Sequence, residues 1–464
     1  TLGAVAVNLC TAGGVGMADL SVAQRAALAQ LIERCPDRVL TQLSGLAGTM
    51  AGDRAADLRD MIEVEALDRR RRNIAFGPLL PLFQPRADGL PGLGFPPAVL
   101  GRLWRSATRN EPELLPQLDR ADDLSRMIAD RLCLSAAFAL RDRAGEIWPE
   151  DASGQAQELA ACLDLAATAR RALPHLPDWI GRSGPETAAE LKLALRQAAG
   201  IAPEGASRLL EIIFAHLEDA RLILRVAALA APGGRELSAE TALGESELGL
   251  FVDRILLALA RRAAEAAAFD PARGEADLDA FKADLDWCAE TLAEIDMALP
   301  LKADSAWGKA VRQARLKVAL SLSERFSAAE RAVDAVLPVE RTALVGRMTR
   351  PTPRLDGAVE AVAADRARAL AALVGLVRGP AAVFGCEAER RQTAEALTGR
   401  LAAWADEAME RLNDGMAADE AAARKRIILT AELLGLIGAR EASRTVRRRL
   451  MASGAASRAS PPAA

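Results

Sequence analysis

Leu278, Phe281, Leu285, Cys288, Leu292, Ile295 and Leu299 follow one another at spacings of 3, 4, 3, 4, 3 and 4 residues. A strand buries every second residue, so this run can bury its apolar set only as one stripe of an α-helix. The polar face of the stripe is acidic: residues 270–299 hold nine acids and two bases, a net of −7. Beyond Pro300, residues 302–319 hold five bases and one acid, a net of +4. Trp307, Val311, Ala314, Val318 and Leu322 keep helical spacing there. A link this short predicts two antiparallel helices over residues 275–337, with opposite charge setting the register. The apolar seam carries most of the stability, because an exposed ion pair contributes under ~1 kcal/mol.

The same period governs the rest of the chain. The apolar share is 51%, mostly Ala and Leu, with 3% aromatics and no tyrosine. Ala, Leu, Arg and Glu are the strongest helix formers. Helix punctuation predicts about 14 helices, over residues 21–35, 37–50, 53–72, 97–110, 119–143, 154–173, 186–199, 203–230, 245–269, 275–299, 304–337, 355–377, 387–413 and 418–437, with a short one after them. No sustained polar/apolar alternation bounded by hairpin turns competes, so no β-sheet is expected. The expected class is all-α: an irregular multi-helix array of stacked hairpins and bundles or an irregular α-solenoid, since no fixed repeat recurs.

Residues 1–16 carry no charge and lack the basic start and strong apolar core of a signal peptide, so they read as a flexible leader before Met17. Residues 17–175 read as an N-terminal helical domain and residues 186–452 as a C-terminal one, divided at the Pro-rich stretch 173–186. Residues 453–464 read as a disordered tail. The most apolar internal run, residues 369–386, contains Arg378 and Pro380 and falls short of a membrane span. The arginine-rich, lysine-poor composition suits a GC-rich bacterial gene. The absence of a signal predicts a cytoplasmic protein.

Residues 69–72 are four consecutive arginines. In the helix over residues 53–72, acids spread inward from the start while the arginines crowd the end, the polarity that the helix macrodipole favours. Asn73 is then the expected stop. Beyond it, Pro78, Pro81, Pro85, Pro91, Pro96 and Pro97 forbid a continuous helix over 74–97. This strap holds Phe76, Phe83 and Phe95, three of ten phenylalanines. Packing across the helices is the leading expectation for it; docking a partner through Phe76, Leu80, Phe83 and Phe95 is the functional alternative.

Little in the sequence carries chemistry. The six cysteines are scattered without a C-x-x-C, which points to buried thiols. Of the two histidines, His175 sits between prolines at a bend, and His216 has Asp219 three residues on, too little for a ligand set. No phosphate loop and no nucleophile elbow occurs. D-x-x-x-D occurs twice, at Asp53/Asp57 and Asp119/Asp123. Carboxylates one turn apart can share Mg²⁺ with a diphosphate, as in all-α isoprenoid enzymes. Both pairs begin a helix, however, where acids are favoured for structural reasons, and the chain is poor in the aromatics such enzymes use. Arg347, Arg350 and Arg354 form a basic cluster that can meet an anion, as does the 444–450 run.

The leading functional expectation is a non-enzymatic adaptor, scaffold or regulatory factor that acts by protein–protein contact, with no cofactor and no metal. A Mg²⁺-dependent diphosphate enzyme built on the two D-x-x-x-D pairs is the first alternative. A peripheral nucleic-acid or membrane-surface binder using the arginine clusters is the second, set against a net charge of −4. Homo-oligomerisation is left open.

Overall fold

The computed structural model describes residues 22–49, 53–151, 154–181, 184–231, 238–271, 275–343 and 349–459. The all-α class holds. The chain divides into two compact units, Thr1–Leu237 with Thr241–Gly249, and Ser238–Glu240 with Leu250–Ala464. The Pro-rich stretch expected to divide two domains, residues 173–186, lies inside the first unit, largely as the short helices Leu173–His175 and Leu176–Ile180. The expected leader lies outside the described residues.

In the first unit, the α-helices of eight residues or more are α1 (Val22–Arg34), α2 (Asp37–Thr49), α3 (Asp53–Ala75), α4 (Pro97–Thr108), α5 (Asp123–Asp142), α6 (Gln155–Asp164), α7 (Pro185–Ile201), α8 (Gly205–His216) and α9 (Ile223–Ala230). In the second they are α10 (Gly249–Ala268), which begins at the boundary, then α11 (Glu275–Ala298), α12 (Ala306–Val336), α13 (Ala361–Leu376), α14 (Glu387–Asn413), α15 (Glu420–Ile437) and α16 (Arg440–Ala459). With five shorter α-helices, the described residues exceed the expected 14, because the runs expected over 154–173 and 203–230 are each broken into two and short helices form in four stretches expected as links. The expected absence of sheet is also corrected. Val339–Ala343 (β1) and Thr349–Pro353 (β2) form an antiparallel pair.

The first unit starts from a core of Ile32, Cys35, Leu40, Leu43, Ala47, Leu58 and Ile62, shared by α1, α2 and α3. Arg69, only 7% exposed, closes it. Its guanidinium donates to Glu65 at 2.7 Å, to Asp37 at 2.6 Å and to the Ile32 and Glu33 carbonyls at the end of α1. Arg71 reaches Asp119 at 2.7 Å. The arginine run is therefore used to tie elements together as well as to suit the dipole. α3 also passes Asn73 and ends at Ala75. The stop is supplied from outside the helix: Arg170 donates to the Ile74 and Ala75 carbonyls at 3.0 and 2.6 Å, satisfying acceptors that a helix end leaves open.

The strap follows as the 3₁₀ segment Gly77–Phe83 and an extended run. Phe76, Phe83 and Phe95 are buried at 0%, 3% and 5% exposure. Phe76 meets the Trp104 ring edge-on, and Phe95 lies between Phe83 and Trp148. Arg86 of the strap sits 4.1 Å from the Phe214 ring centroid, donates to the Phe214 and Leu217 carbonyls, and is held by Asp88. This explains why the helix expected over 203–230 is two helices. The carbonyls opened at the break are taken by Arg86, and Asp219 begins the next turn by accepting from the Arg221 N–H.

In the second unit α13 packs on α12 and α15, and α15 packs on α14 and α16. Gly375 lets α13 approach α15 closely: a Cβ there would collide with the Leu436 carbonyl oxygen. Phe281, Leu285, Cys288, Leu292, Ile295 and Leu299 are all buried, as are Val311, Ala314, Val318 and Leu322. Arg315 of α12 meets Asp296 of α11 at 3.0 Å. Other members of the acidic face are held elsewhere: Asp284 by Arg262 of α10 at 2.8 Å and Asp286 by Lys282 within α11. The expected tail is shortened, because α16 continues to Ala459. Among the described residues, no helix is long and apolar enough to cross a membrane.

Candidate functional site

A cleft lined mostly by apolar side chains lies in the second unit. The end of α12, both strands and one face of α14 surround a cleft of about 490 Å³. Its apolar wall comes from Val333, Leu337, Val339, Pro351, Pro353 and Trp404. Leu401 and Ala403 lie beside them, and Arg350, Arg400, Asp334 and Glu407 complete the lining. Leu401, Trp404 and Glu407 recur at helical spacing along α14, so a single helix face supplies the floor and part of the rim.

The rim charges are already matched. Arg350 meets Glu407 at 3.4 Å, and Arg400 meets Asp334 at 3.1 Å and Glu330 at 3.4 Å. The wall is not matched. Trp404 is 7% exposed, and its buried Nε1 has no hydrogen-bond partner. A buried donor left open costs about 1–3 kcal/mol. The Trp179 indole N–H is also open, but Trp179 is closed in the first unit at 1% exposure.

The hairpin beside the cleft has two unlike edges. Arg354 donates its backbone N–H to the Pro338 carbonyl at 3.0 Å. Hydrogen-bonded pairs alternate along an antiparallel ladder. Glu340/Thr352 and Thr342/Arg350 are then the bonded pairs, and Val339/Pro353 and Arg341/Pro351 the open ones. At an open pair the N–H points away from the partner strand, where proline has none. The outer edge of β2 thus offers no donor at Pro351 or Pro353. It lies on α14, where Arg411 holds the Pro353 carbonyl at 2.5 Å, Glu340 at 2.8 Å and Thr352 at 3.2 Å. β1 keeps the outward N–H and C=O groups of Val339 and Arg341, for which no acceptor or donor occurs among the described residues. Val339 is 60% exposed.

The residues singled out from the sequence fall as follows. Phe76, Phe83 and Phe95 are core residues of the first unit and Leu80 is half-buried, so the strap does not offer its aromatics to a partner. Arg350 lines the cleft; Arg354 is exposed and hands its carbonyl to Arg426; Arg347 lies outside the described residues. Asp57 is bound to Arg25 at 2.6 Å and Asp119 to Arg71 at 2.7 Å. Fourteen helical positions separate Asp57 from Arg71, about 21 Å, so the D-x-x-x-D pairs do not share a diphosphate site. Asp123 pairs with Arg126 in solvent, and the Asp53 side chain lies outside the described residues. No group of three or more metal-ligating side chains occurs among the described residues.

His216 is half-buried, with Nε2 2.8 Å from the Pro78 carbonyl. Burial lowers its basicity, and that hydrogen bond only partly offsets the effect. Asp219, expected to share its helix, lies beyond the break. His175 is stacked on Trp179 and faces Glu190 at 3.6 Å. The five described cysteines are free and buried. Burial pushes the thiols of Cys133 and Cys288 up to about 12 and that of Cys386 to about 11, and raises Cys162 as well. Thiols so protonated at neutral pH are poor nucleophiles.

Sequence reasoning missed Trp404, Val339 and Glu407. A signal existed: Val339 to Ala343 contains two β-branched residues, Val339 and Thr342, but the prolines that follow read as a linker. No family model matches the chain, and neither a curated protein nor a solved structure is similar to it.

Proposed function

We propose that this chain is an interaction protein, an adaptor or regulatory factor, that captures an extended segment of another protein in the cleft between the β-hairpin and α14. The observation that carries the reading is the open cleft itself, an apolar wall of Val333, Leu337, Val339, Pro351, Pro353 and Trp404 beside matched rim charges. A peptide supplies what such a wall lacks: an apolar side chain to fill the volume. The free edge of β1 supports the same occupant, because an added strand pairs its own backbone with the outward groups of Val339 and Arg341. The donor-free, helix-covered edge of β2 restricts such pairing to one side. Binding is favoured over chemistry by the separated histidines, the raised thiols and the scattered carboxylates.

The test uses the full chain in selection from a random-peptide library, followed by affinity measurement on the recovered peptides. Val339→Asp places a charge at the open edge of the cleft, on a residue already exposed. The reading predicts recovered peptides with apolar side chains and a loss of affinity of about tenfold or more in that variant. Peptides bound equally by Val339→Asp, with the fold intact by circular dichroism, overturn it.

A further inference from the structure

In the first unit a second cavity, of about 520 Å³, has the opposite character. It is lined by Arg102, Arg105, Arg109 and Arg143, with Ser106, Thr108, Ile147 and one acid, Glu146. We propose that this cavity binds a small molecule carrying two or more phosphate groups.

The arrangement follows from α4. Its buried face is Val99, Leu100, Leu103, Trp104 and Ala107. Arg102, Arg105 and Arg109 then recur at i, i+3 and i+7, one stripe on the other side of the helix. Arg143, at the C-terminal cap of α5, joins them from a neighbouring element. Its Nη2 lies 3.4 Å from the Ser106 hydroxyl, so a side-chain hydroxyl stands among the guanidinium groups.

Positive charge is in excess at the lining, four cations to one carboxylate. Glu146 is 3.9 Å from Arg143, at the limit of an ion pair. Arg109 has no ion pair among the described residues. The remaining partners are solvent-exposed acids: Glu150 for Arg102 at 2.9 Å, Glu33 for Arg105, and Asp142 for Arg143 at 3.6 Å. Exposed pairs of this type contribute about 0–1 kcal/mol and exchange readily for a multidentate anion. Arg72 adds a fifth cation behind the stripe. A Cβ on Gly101 would stand 3.7 Å from its Nη1 and 4.0 Å from that of Arg105. Burial lowers the basicity of both Arg72 and Arg105.

Several planar forks converging on one volume suit phosphate oxygens, which accept two parallel N–H bonds from each fork. A lone phosphate leaves most of the cavity empty and cannot engage all four arginines at once. No aromatic ring lines the cavity, so a nucleobase finds nothing on which to stack. The overall charge of −4 disfavours a nucleic-acid backbone as the occupant. A compact polyphosphate or multiply phosphorylated metabolite fits the volume and the charge.

Titration calorimetry on the full chain with inorganic tripolyphosphate, pyrophosphate, orthophosphate and citrate tests this. Affinity is expected to rise with the number of phosphates, with tripolyphosphate at least about tenfold tighter than citrate. Arg109→Glu, at an exposed and unpaired position, is expected to weaken tripolyphosphate at least about tenfold without changing the circular dichroism spectrum. Arg143→Gln is expected to weaken it to a smaller extent. No heat with any phosphate, equal binding of citrate, or unaltered binding by both variants overturns the proposal. This site is separate from the peptide cleft, so Val339→Asp leaves it unchanged whether or not the cleft binds a peptide.

Discussion

Arg86 joins three parts of the first unit with one side chain. It covers the Phe214 ring, accepts Asp88 as its counter-ion and takes the two carbonyls freed where α8 ends. Arg86→Ala removes the cation beside Asp88 and one donor from each of the Phe214 and Leu217 carbonyls. It is expected to destabilise the first unit by about 3 kcal/mol, read as a lower denaturant midpoint. Arg86→Lys recovers only part of this, because an ammonium has no fork to span the set. His216 makes a pH-dependent contribution of known sign. Its folded pKa lies below the unfolded value of about 6.5. The unfolded chain therefore binds more protons in the interval between the two values. Stability is fully present above the unfolded value and is lost as pH falls through the folded one. A urea midpoint measured from pH 7 downward is expected to fall more steeply for the wild type than for His216→Gln.

At the scale of elements, the strap packs into the first unit, the leading expectation from its sequence, whereas the hairpin had no counterpart in the sequence reading. Phe83 fills the core, and Phe83→Ser is expected to cost about 3 kcal/mol or more by denaturant unfolding, while peptide capture by the folded variant stays at the wild-type level. The hairpin depends on Arg411, which holds both strands to α14. Arg411→Ala is expected to weaken captured peptides about tenfold or more by calorimetry, because Val339 and Pro353 then lose their position beside Trp404. Helix identity was legible wherever apolar spacing was strict: the stripe from Phe281 to Leu299 is buried as its period requires. Helix ends were legible only where the stop is local. α14 spans the expected residues 387–413. α3 does not stop at Asn73, because its terminal carbonyls are satisfied by Arg170, ninety-five and ninety-six residues away. The break after His216 depends likewise on Arg86, which no local pattern announces.

For the whole molecule, class was legible and function was not. Helix-forming composition and the 3,4 period fix an all-α chain, and both are properties of neighbouring residues. The two candidate sites are properties of distant ones. Trp404 gains significance only because Val339, Pro351 and Pro353 stand across from it. Arg143 matters only because it reaches the stripe on α4. Arg350 was the one cleft residue visible in advance, and it was read as a free basic group, whereas it pairs with Glu407 at the rim. The D-x-x-x-D pairs failed for the matching reason: spacing along a helix is visible in sequence, but the arginines that occupy them come from elsewhere.

The central claim is that the cleft takes an extended peptide against β1. Hydrogen exchange read by mass spectrometry on the full chain, with and without a library-selected peptide, tests it most directly. Slowed exchange in Val339–Ala343 together with the cleft-lining part of α14 is the predicted result. Protection confined to other segments, with both of these unchanged at saturating peptide, contradicts it.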